Sequence, residues 1–434
     1  PQPALAVQRV QLSERGRRDV FASIEHAALA LHLQPLLSRR EIEVESIEAR
    51  GVKLRLSRDA EGARNVDDLL ERIASGEPGS GRPLAIDRLT LSDVVLVIDD
   101  AGRGVKGTLS MPQFSLGAFG PGLRSPLQMK AQAALSQPPL HAALELQAGL
   151  SLLPPPRPDA SPLLQLDQTQ LRLHGQGFDL EGLDVQLQAK TLQLEYGTAL
   201  GFGDSRLDVH DLELQFGGRR LGWQVDGGQL QLERLRVALL QRRIELEQLA
   251  LSLKGQREAT TLEAELRWPK LDVHGDQLQG SAVQGRLVLG GDQRLQLRLS
   301  SQPPSGAFER ITLPELQLDV DGRFGARALK GQAGATLMLE PKALAAALDA
   351  LSLRLQLDDP ALPALQLALQ GAATLTPQRA AGRLQGTVNE QRVDANFDAQ
   401  LARVRPFVDL QADIATLDLN RFATPAQRAA APAP

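Results

Sequence analysis

Apolar and polar residues alternate along most of the chain, with the two-residue period of a half-buried β-strand. Residues 212–216 and 249–253 show the pattern clearly. Turns rich in Gly and Asp, among them Gly217-Gly218 and Asp321-Gly322, separate such segments, and short turns favour antiparallel neighbours. The pattern predicts a mostly β protein with a long antiparallel sheet.

A second regularity interrupts the alternation, which slips by one residue so that apolar positions follow the spacing i, i+2, i+5, i+7. The slip occurs at Ile42/Val44 before Ile47/Ala49, Leu84/Ile86 before Leu89/Leu91, Leu207/Val209 before Leu212/Leu214, Leu230/Leu232 before Leu235/Val237, and Ile244/Leu246 before Leu249/Leu251. A plain slip turns the apolar set to the opposite face, but a β-bulge keeps it on one face and bends the strand. We therefore predict long, bulged strands; a tight corner between short strands, or coincidence in a Leu-rich chain, is the alternative.

Two stretches predict short helices. Residues 65–73 begin with an Asn N-cap followed by early carboxylates. Residues 341–351 carry Pro near the first turn and then strong helix formers. Wide open sheets curl or split, so the remaining strands either pack on themselves as a sandwich or form an open, curled trough lined by Leu and Val. Periodicity alone leaves both outcomes open.

Composition narrows the class of protein. The 434 residues include 48 Lys and Arg against 52 Asp and Glu, a net charge of −4, which argues against a nucleic-acid binder. The absence of Cys excludes a disulfide scaffold, a thiolate zinc site and a Cys nucleophile. Aromatic residues make up only 3% of the chain, so the apolar surface is aliphatic. No apolar run reaches the ~18 residues of a membrane-spanning helix, and we expect the soluble part of a longer protein.

The sequence offers little chemistry for catalysis. His26 and His32 share a face of a predicted strand, but without Cys or a carboxylate cluster they indicate a metal site only weakly. Nucleophile elbow, phosphate-binding loop and zinc-protease motifs are missing. Paired carboxylates such as Asp99-Asp100 fit turns, and basic pairs such as Arg219-Arg220 fit solvated sheet edges. The sequence thus predicts no enzyme, no catalytic or metal-binding residue and no cofactor.

The aliphatic face is the one feature large enough to carry a function, because contiguous exposed apolar area marks an interaction site or a ligand groove. Leu and Val suit acyl chains, and each CH₂ removed from water gains ~0.8 kcal/mol. We expect an open, apolar-lined groove over residues 1–153 and 163–423, with a Pro-rich loop or linker at 154–162 and a disordered Ala/Pro tail at 424–434. Its predicted lining is Val44, Val52, Leu54, Leu56, Leu187, Leu192, Leu194, Leu207, Val209, Leu212, Leu214, Phe216, Leu249 and Leu251.

Four segments resemble the AsmA family. Residues 33–47 hold a Pro-Leu-Leu stretch that runs into a strand, and residues 58–70 resemble the family pattern RDxxGxxNxxDLL. Residues 84–100 resemble the family's following strands, which end in a short Asp/Gly turn like that at residues 99–102. Residues 397–422 resemble its closing LdlDrY segment. The chain departs from the family at Val66, where an aromatic residue is common, and at Asn420 and Phe422, where Asp and Tyr are common. Between about residues 150 and 390 only the patterning is compatible.

The resemblance implies a periplasmic β body, anchored to the inner membrane of a Gram-negative bacterium by an N-terminal helix missing here, and similar to repeating β-groove lipid-transfer proteins. It implies that phospholipids move along the groove between inner and outer membrane, with outer-membrane components as further candidate partners and no nucleic acid. It favours the trough over the sandwich. The alternative is a β-rich assembly or scaffold protein that aids outer-membrane protein biogenesis by edge-strand pairing.

Overall fold

A computed structural model gives 24 β-strands and one short helix. It describes residues 4–13, 20–39, 43–59, 62, 64–65, 86–101, 104–120, 122–137, 139–154, 163–177, 180–195, 206–220, 222–238, 241–341, 343–360, 362–401 and 407–414. The chain divides into two compact units, Pro1–Gln224 and Val225–Pro434. The mostly β fold with open sheets is confirmed.

Unit 1 is an open sheet in which each strand pairs with the next one along the chain. The helix α1 (Leu33–Arg39) connects the second and third strands. The Pro-rich run 154–162 follows β7 and precedes its hydrogen-bonded neighbour β8. The strands are β1 (Ala4–Ser13), β2 (Val20–Leu31), β3 (Val44–Arg58), β4 (Ile86–Asp100), β5 (Val105–Leu116), β6 (Arg124–Gln137), β7 (Pro139–Leu153), β8 (Leu163–Gly177), β9 (Leu180–Glu195) and β10 (Arg206–Arg220).

Unit 2 is also an open sheet, and its described pairings are all antiparallel. Its strands are β11 (Trp223–Ala238, which begins two residues before the unit), β12 (Arg243–Arg257), β13 (Thr260–His274), β14 (Gln277–Gly280), β15 (Gln284–Gly290), β16 (Gln293–Ser300), β17 (Ser305–Ala307), β18 (Arg310–Phe324), β19 (Arg327–Glu340), β20 (Ala345–Asp359), β21 (Leu362–Leu375), β22 (Arg379–Val388), β23 (Gln391–Gln400) and β24 (Phe407–Ile414).

The four short strands of unit 2 are pieces of two long ones. β14 and β15 both pair with β13 in one continuous register, interrupted at residues 281–283. β17 and β16 likewise pair with β18 in one register, interrupted at residues 301–304. Each interruption lies opposite a place where residues of the partner strand are skipped in the pairing with its other neighbour. The breaks therefore belong to the bends described below.

The expectation of antiparallel neighbours throughout is wrong at one place, because β3 and β4 pair in parallel. Parallel neighbours need a crossover of a dozen or more residues, and residues 59–85 supply it. Alternation reports which face a residue occupies, but it carries no information about strand direction.

The helix predictions need two corrections. Residues 345–351 of the predicted helix 341–351 belong to β20, because pairing with β19 and β21 on both sides overrides the helix propensity of its Ala and Leu residues. The helix that does form, α1, lies in a stretch we expected to run into a strand; Pro35 sits in its first turn, where Pro is favourable. Most of the predicted helix 65–73 lies outside the described residues, and Asn65 is in a turn.

At four of the five predicted slips the strand continues and the pairing skips one residue on each of the two strands, as expected for long strands with a local irregularity. The pairing of β3 with β4 passes over Glu45 and Asp87. The pairing of β10 with β9 passes over Asp211, which has a φ of 47°, and β12 with β13 passes over Gln248, with a φ of 54°. For the slip in β11 the bulge stays a prediction.

The bulges of neighbouring strands lie side by side, so they form a line of kinks across the sheet. Between β8 and β9 the pairing jumps over Gln168 and Lys190, and between β9 and β10 over Lys190 and Asp211. These three side chains are exposed, whereas Thr169 and Ala189 next to them on the apolar face are only 2% and 3% exposed. From this difference in exposure we infer that β8, β9 and β10 bend toward the apolar face, with the extra residue on the outside.

Candidate functional site: an apolar face in each unit

One row of apolar side chains crosses all ten strands of unit 1. Every member is paired directly with the next, so all ten share one face of the sheet. The row runs Val7, Ala27, Ala49, Leu91, Phe114, Met129, Leu146, Leu171, Leu187, Leu214 from β1 to β10. No polar residue interrupts it.

Unit 2 has an equivalent row across eleven strands. It contains only aliphatic residues and glycines, and it again follows direct pairings from strand to strand. The row runs Leu251, Leu266, Gly285, Leu299, Leu318, Ala333, Leu353, Leu369, Gly386, Val393, Ile414 from β12 to β24. Glycine and alanine are interspersed among the leucines in the middle of this row, so the side chains there project less far from the sheet than the leucines do.

The two faces of the sheet differ in chemistry and in exposure. In β7 the side chains of Leu140, Leu144 and Leu146 share the apolar face and are half-buried, while His141 and Glu145 on the opposite face are exposed. Most members of both rows are likewise half-buried. Side chains in a two-layer sandwich would be covered by the second layer; here neighbouring leucines shield one another and leave hydrocarbon accessible.

All fourteen predicted lining residues lie on these apolar faces, twelve in unit 1 and two in unit 2. Leu207 pairs with Leu194, and Val209 with Leu192. The others fall on the same face by direct pairing: Leu212 with Ala189, Leu214 with Leu187, Phe216 with Val185, Val52 with Ile24, Leu54 with Leu96, Leu56 with Ile98, Val44 with Ile86, Leu249 with Trp268, and Leu251 with Leu266. Their role as lipid contacts stays a prediction.

Sequence reasoning missed many members of the same faces. Leu91, Phe114, Leu146 and Leu171 are among the eight members of the unit 1 row that the predicted lining lacks, and Leu353 belongs to the row of unit 2. The signal was present for β7, where apolar residues occupy every second position from Leu140 to Leu152. Listing every alternating segment, rather than those with the slip, would have found it.

Two cavities of about 720 and 740 Å³ lie in unit 2. The first is on the opposite, polar face, and the second is lined both by polar-face residues and by Leu353, Leu369, Gly386, Val393 and Ile414 of the apolar row. The first is lined by side chains such as Arg298, Asp319, Lys330 and Gln332 and is open to solvent. Rows of long polar side chains rise from the polar face and leave crevices between them. Neither cavity contains any of the predicted lining residues.

Charges on the polar face are paired across strands. Arg379 of β22 donates from Nε to Oδ1 of Asp398 of β23 over 3.0 Å, and Arg383 contacts Asp394 in the same way. Hydrogen bonds from these guanidinium groups hold the pKa of both carboxyls below their usual value. Such exposed pairs contribute little to stability, but they keep the charges of this face matched.

Neither a metal-binding cluster nor a membrane-spanning helix occurs among the described residues. They contain no cluster of three or more His, Asp or Glu side chains able to hold a metal ion. Within the same part of the chain, no helix is both long enough and apolar enough to cross a membrane.

Comparison with known proteins gives no match: no protein-family profile, no curated protein and no solved structure is similar to this chain. The functional argument therefore depends on the two faces of the sheet and on their chemistry.

Proposed function

We propose that the chain is a periplasmic lipid-transfer conduit of the AsmA type, which carries phospholipids between the inner and outer membrane along its apolar face. The observation that carries the proposal is the pair of uninterrupted apolar rows, one across the ten strands of unit 1 and one across eleven strands of unit 2. An interaction site for a folded protein would include polar positions at intervals; a face for hydrocarbon needs none.

The dimensions of the rows suit acyl chains. Nine inter-strand spacings of about 4.8 Å give the row of unit 1 a length of about 43 Å. One leaflet of a bilayer contributes only about 15 Å of hydrocarbon thickness. At ~0.8 kcal/mol per CH₂ shielded from water, partial cover is enough to hold a lipid, and a uniform wall lets it move without crossing a polar step.

The bends support a groove rather than a flat platform. Each kink turns its strand toward the apolar face, because the extra residue lies on the outside and small residues such as Thr169 and Ala189 are buried on the inside. A face that curves around its ligand shields more of an acyl chain than a flat one. The polar face meanwhile keeps the protein hydrated.

The assignment to the AsmA type and to the periplasm rests on the sequence resemblance. Its most characteristic segment, at residues 58–70, has a structural role at its described positions. The side-chain Nδ2 of Asn65 donates to the carbonyl of Arg55 over 2.8 Å, and its Oδ1 accepts from the amide of Ser57 over 3.0 Å. Asn65 thus acts as an extra peptide group at the end of β3, which agrees with a family motif that shapes the sheet and performs no catalysis.

A charge on the apolar face tests the proposal. Leu212→Asp places a carboxylate in the row beside Ala189, where burial without a partner is costly. Phospholipid transfer between donor and acceptor vesicles should fall by roughly tenfold or more, as expected for about 1.4 kcal/mol or more of added barrier. Gln215→Asp, on the exposed polar face of the same strand, is the matched control and should leave transfer unchanged. Equal transfer by both folded variants would show that the apolar face is not the path.

A second candidate function is the pairing of client strands during outer-membrane protein assembly, and β24 is the observation that favours it. All eight residues of this strand are exposed, and among the described residues it pairs with β23 alone, without a register shift. It contains no Pro or Lys, and its only charged residues are Asp409 and Asp413. Mass spectrometry of the purified protein separates the candidates, since bound phospholipid supports the conduit, whereas a lipid-free chain that binds strand peptides supports assembly.

A further inference from the structure

A small dry core interrupts the apolar face of unit 2. Phe308 is fully buried and packs with Leu271, Val273 and Ile311, which are 4%, 0% and 3% exposed. Leu339 and four other half-buried apolar residues pack around this cluster. Most other parts of the same face are only half-buried. In this region the ring of Phe308 covers the apolar face.

The cluster joins residues that are far apart along the sheet. Leu271 and Val273 belong to β13 and Ile311 to β18, with β14 and β17 in contact between them. Three strand spacings of about 4.8 Å would separate them by about 14 Å on a flat sheet. They meet in one core because the apolar face folds over at this level and Phe308, at the tip of the β17–β18 hairpin, fills the remaining space.

Three hairpin tips hold Phe308 in place. Arg242, in the turn before β12, donates from Nη2 to Oδ1 of Asp276 over 2.8 Å and to Oε2 of Glu309 over 2.5 Å. The Phe308 amide donates to the carbonyl of Gly275, and the Gly275 amide donates to the carbonyl of Arg242. Asp276 and Glu309 lie in the turns that follow β13 and β17, so this clasp ties the three turns together.

The buried residues of the dry core, Leu271, Val273 and Ile311, lie on one side of the kinks. On β13 they begin beyond the kink at Pro269; Trp268, on the other side of that kink, packs against them, and Leu266 belongs to the half-buried row of eleven strands. On β18 the same division separates Ile311 from Leu318. Between β13 and β18, hydrocarbon can therefore reach the half of the unit 2 apolar face that contains Leu266 and Leu318, but not the half that contains Val273 and Ile311.

We propose that Phe308 is a path-determining residue, which confines acyl chains bound in unit 2 to the half of the face that contains Leu266 and Leu318. The inference rests on the proposed lipid-transfer function, and it adds where the lipid lies. Removal of the Phe308 ring opens the half of the face that contains Val273 and Ile311. Loss of the clasp through Arg242→Gln loosens the packing of Phe308 over that half.

Cysteine labelling tests the block without any lipid. The chain has no Cys, so single variants report one site each, and Val273→Cys and Leu266→Cys lie on the same strand on opposite sides of the kink. A maleimide should label Val273→Cys at least roughly tenfold more slowly, because reaction there needs local opening. Added Phe308→Ala or Arg242→Gln should accelerate labelling of Val273→Cys and leave Leu266→Cys unchanged. Equal labelling of the two sites, or no acceleration by either second variant, overturns the proposal.

Photo-crosslinking of the full chain then places the lipid. A phospholipid with a diazirine in its acyl tail should label the unit 1 row and the Leu266–Leu318 side of unit 2, and should reach Val273 and Ile311 only in the Phe308→Ala variant. Labelling of Val273 in the wild-type protein refutes the path assigned to Phe308. Absence of labelling on every apolar row, with the cysteine pattern intact, instead refutes the lipid-transfer function.

Discussion

At the scale of single residues, the bends depend on polar side chains in an unusual backbone conformation. Asp93, Gln168, Asp211 and Gln248 all have positive φ, between 47° and 54°. Residues other than glycine rarely adopt this region, and Asp is among the more tolerant. Each of these side chains is exposed on the outside of a kink, and Asp211 pairs with Lys190 over 3.2 Å. A single polar residue per strand thus sets the direction of the bend.

An exposed histidine offers a test at the same scale. Nε2 of His32 lies 2.7 Å from Oδ2 of Asp87, and this hydrogen bond raises the pKa of the imidazole above 6.5. A raised pKa means that the contact stabilises the fold fully below about pH 6.5 and that the contribution disappears as pH rises through the folded-state pKa. NMR titration should give His32 a pKa above 6.5, and Asp87→Asn should lower it. An unchanged His32 titration in Asp87→Asn would contradict the contact.

At the residue scale, the sequence predicted which face of the sheet a side chain occupies, but it did not predict the contacts of individual polar side chains. Leu207 and Leu212 are on one face as expected, because side-chain direction follows from strand periodicity alone. The helix predicted to begin at Asn65 lies mostly outside the described residues, and the contacts of the Asn65 side chain with the backbone of Arg55 and Ser57 were not predicted. A capping signature and a peptide-like contact to a distant strand use the same side-chain atoms, and only the fold distinguishes them.

At the scale of elements, the alignment of bulges matters more than any single bulge. Where kinks lie side by side, as in β8, β9 and β10, the pairing resumes in register beyond them, as it does between Thr169–Ala189 and Asp167–Thr191; between β7 and β8, where β7 has no matching kink, the register shifts by one residue. An isolated bulge would bend one strand away from its neighbours and break the ladder. Aligned bulges bend the whole sheet and keep its hydrogen bonds.

Deletion of one bulge residue should therefore be severe. Removing Gln168 shifts the outer half of β8 by one position and turns Leu164 and Leu166 toward the polar face. The expected loss is roughly 3 kcal/mol, the cost of exposing two partly buried leucines. Gln168→Gly, which keeps the length and relieves the positive φ, is the control and should leave stability unchanged or slightly higher. Thermal unfolding measures both, and a wild-type melting temperature for the deletion would refute the role of the bulge.

The sequence predicted the strands and four slips because both are local patterns. It failed at β20, where an Ala- and Leu-rich segment pairs with two neighbours and helix propensity does not decide the outcome. It failed also at β3 and β4, because alternation within a strand carries no information about the direction of its neighbour. Local pattern predicts which side of the sheet is apolar, whereas pairing partners and directions are long-range properties.

At the scale of the whole molecule, both units present apolar rows far longer than one acyl chain. The row of unit 2 covers ten strand spacings of about 4.8 Å, or about 48 Å, and the fourteen residues predicted from sequence occupy only a few positions of the available surface. A conduit for lipids needs several occupied positions, whereas a carrier that shields one lipid needs a single closed pocket.

The protein should consequently hold more than one phospholipid at a time. Native mass spectrometry of the full chain with short-chain phosphatidylcholine should give a series of complexes with two or more bound lipids, and Leu212→Asp should shorten the series. Gln215→Asp should give the wild-type series. A complex that stops at one lipid under saturating conditions would indicate a single closed site and contradict a continuous path.

The order of strand pairing has a consequence for how the protein is made. Within unit 1 every strand lies beside the one that precedes it in the chain, and contacts between close neighbours in sequence form quickly. A polypeptide that emerges N-terminus first finds each new docking edge already in place. Assembly can then proceed strand by strand during translation, and the growing front advances from β1 toward β10.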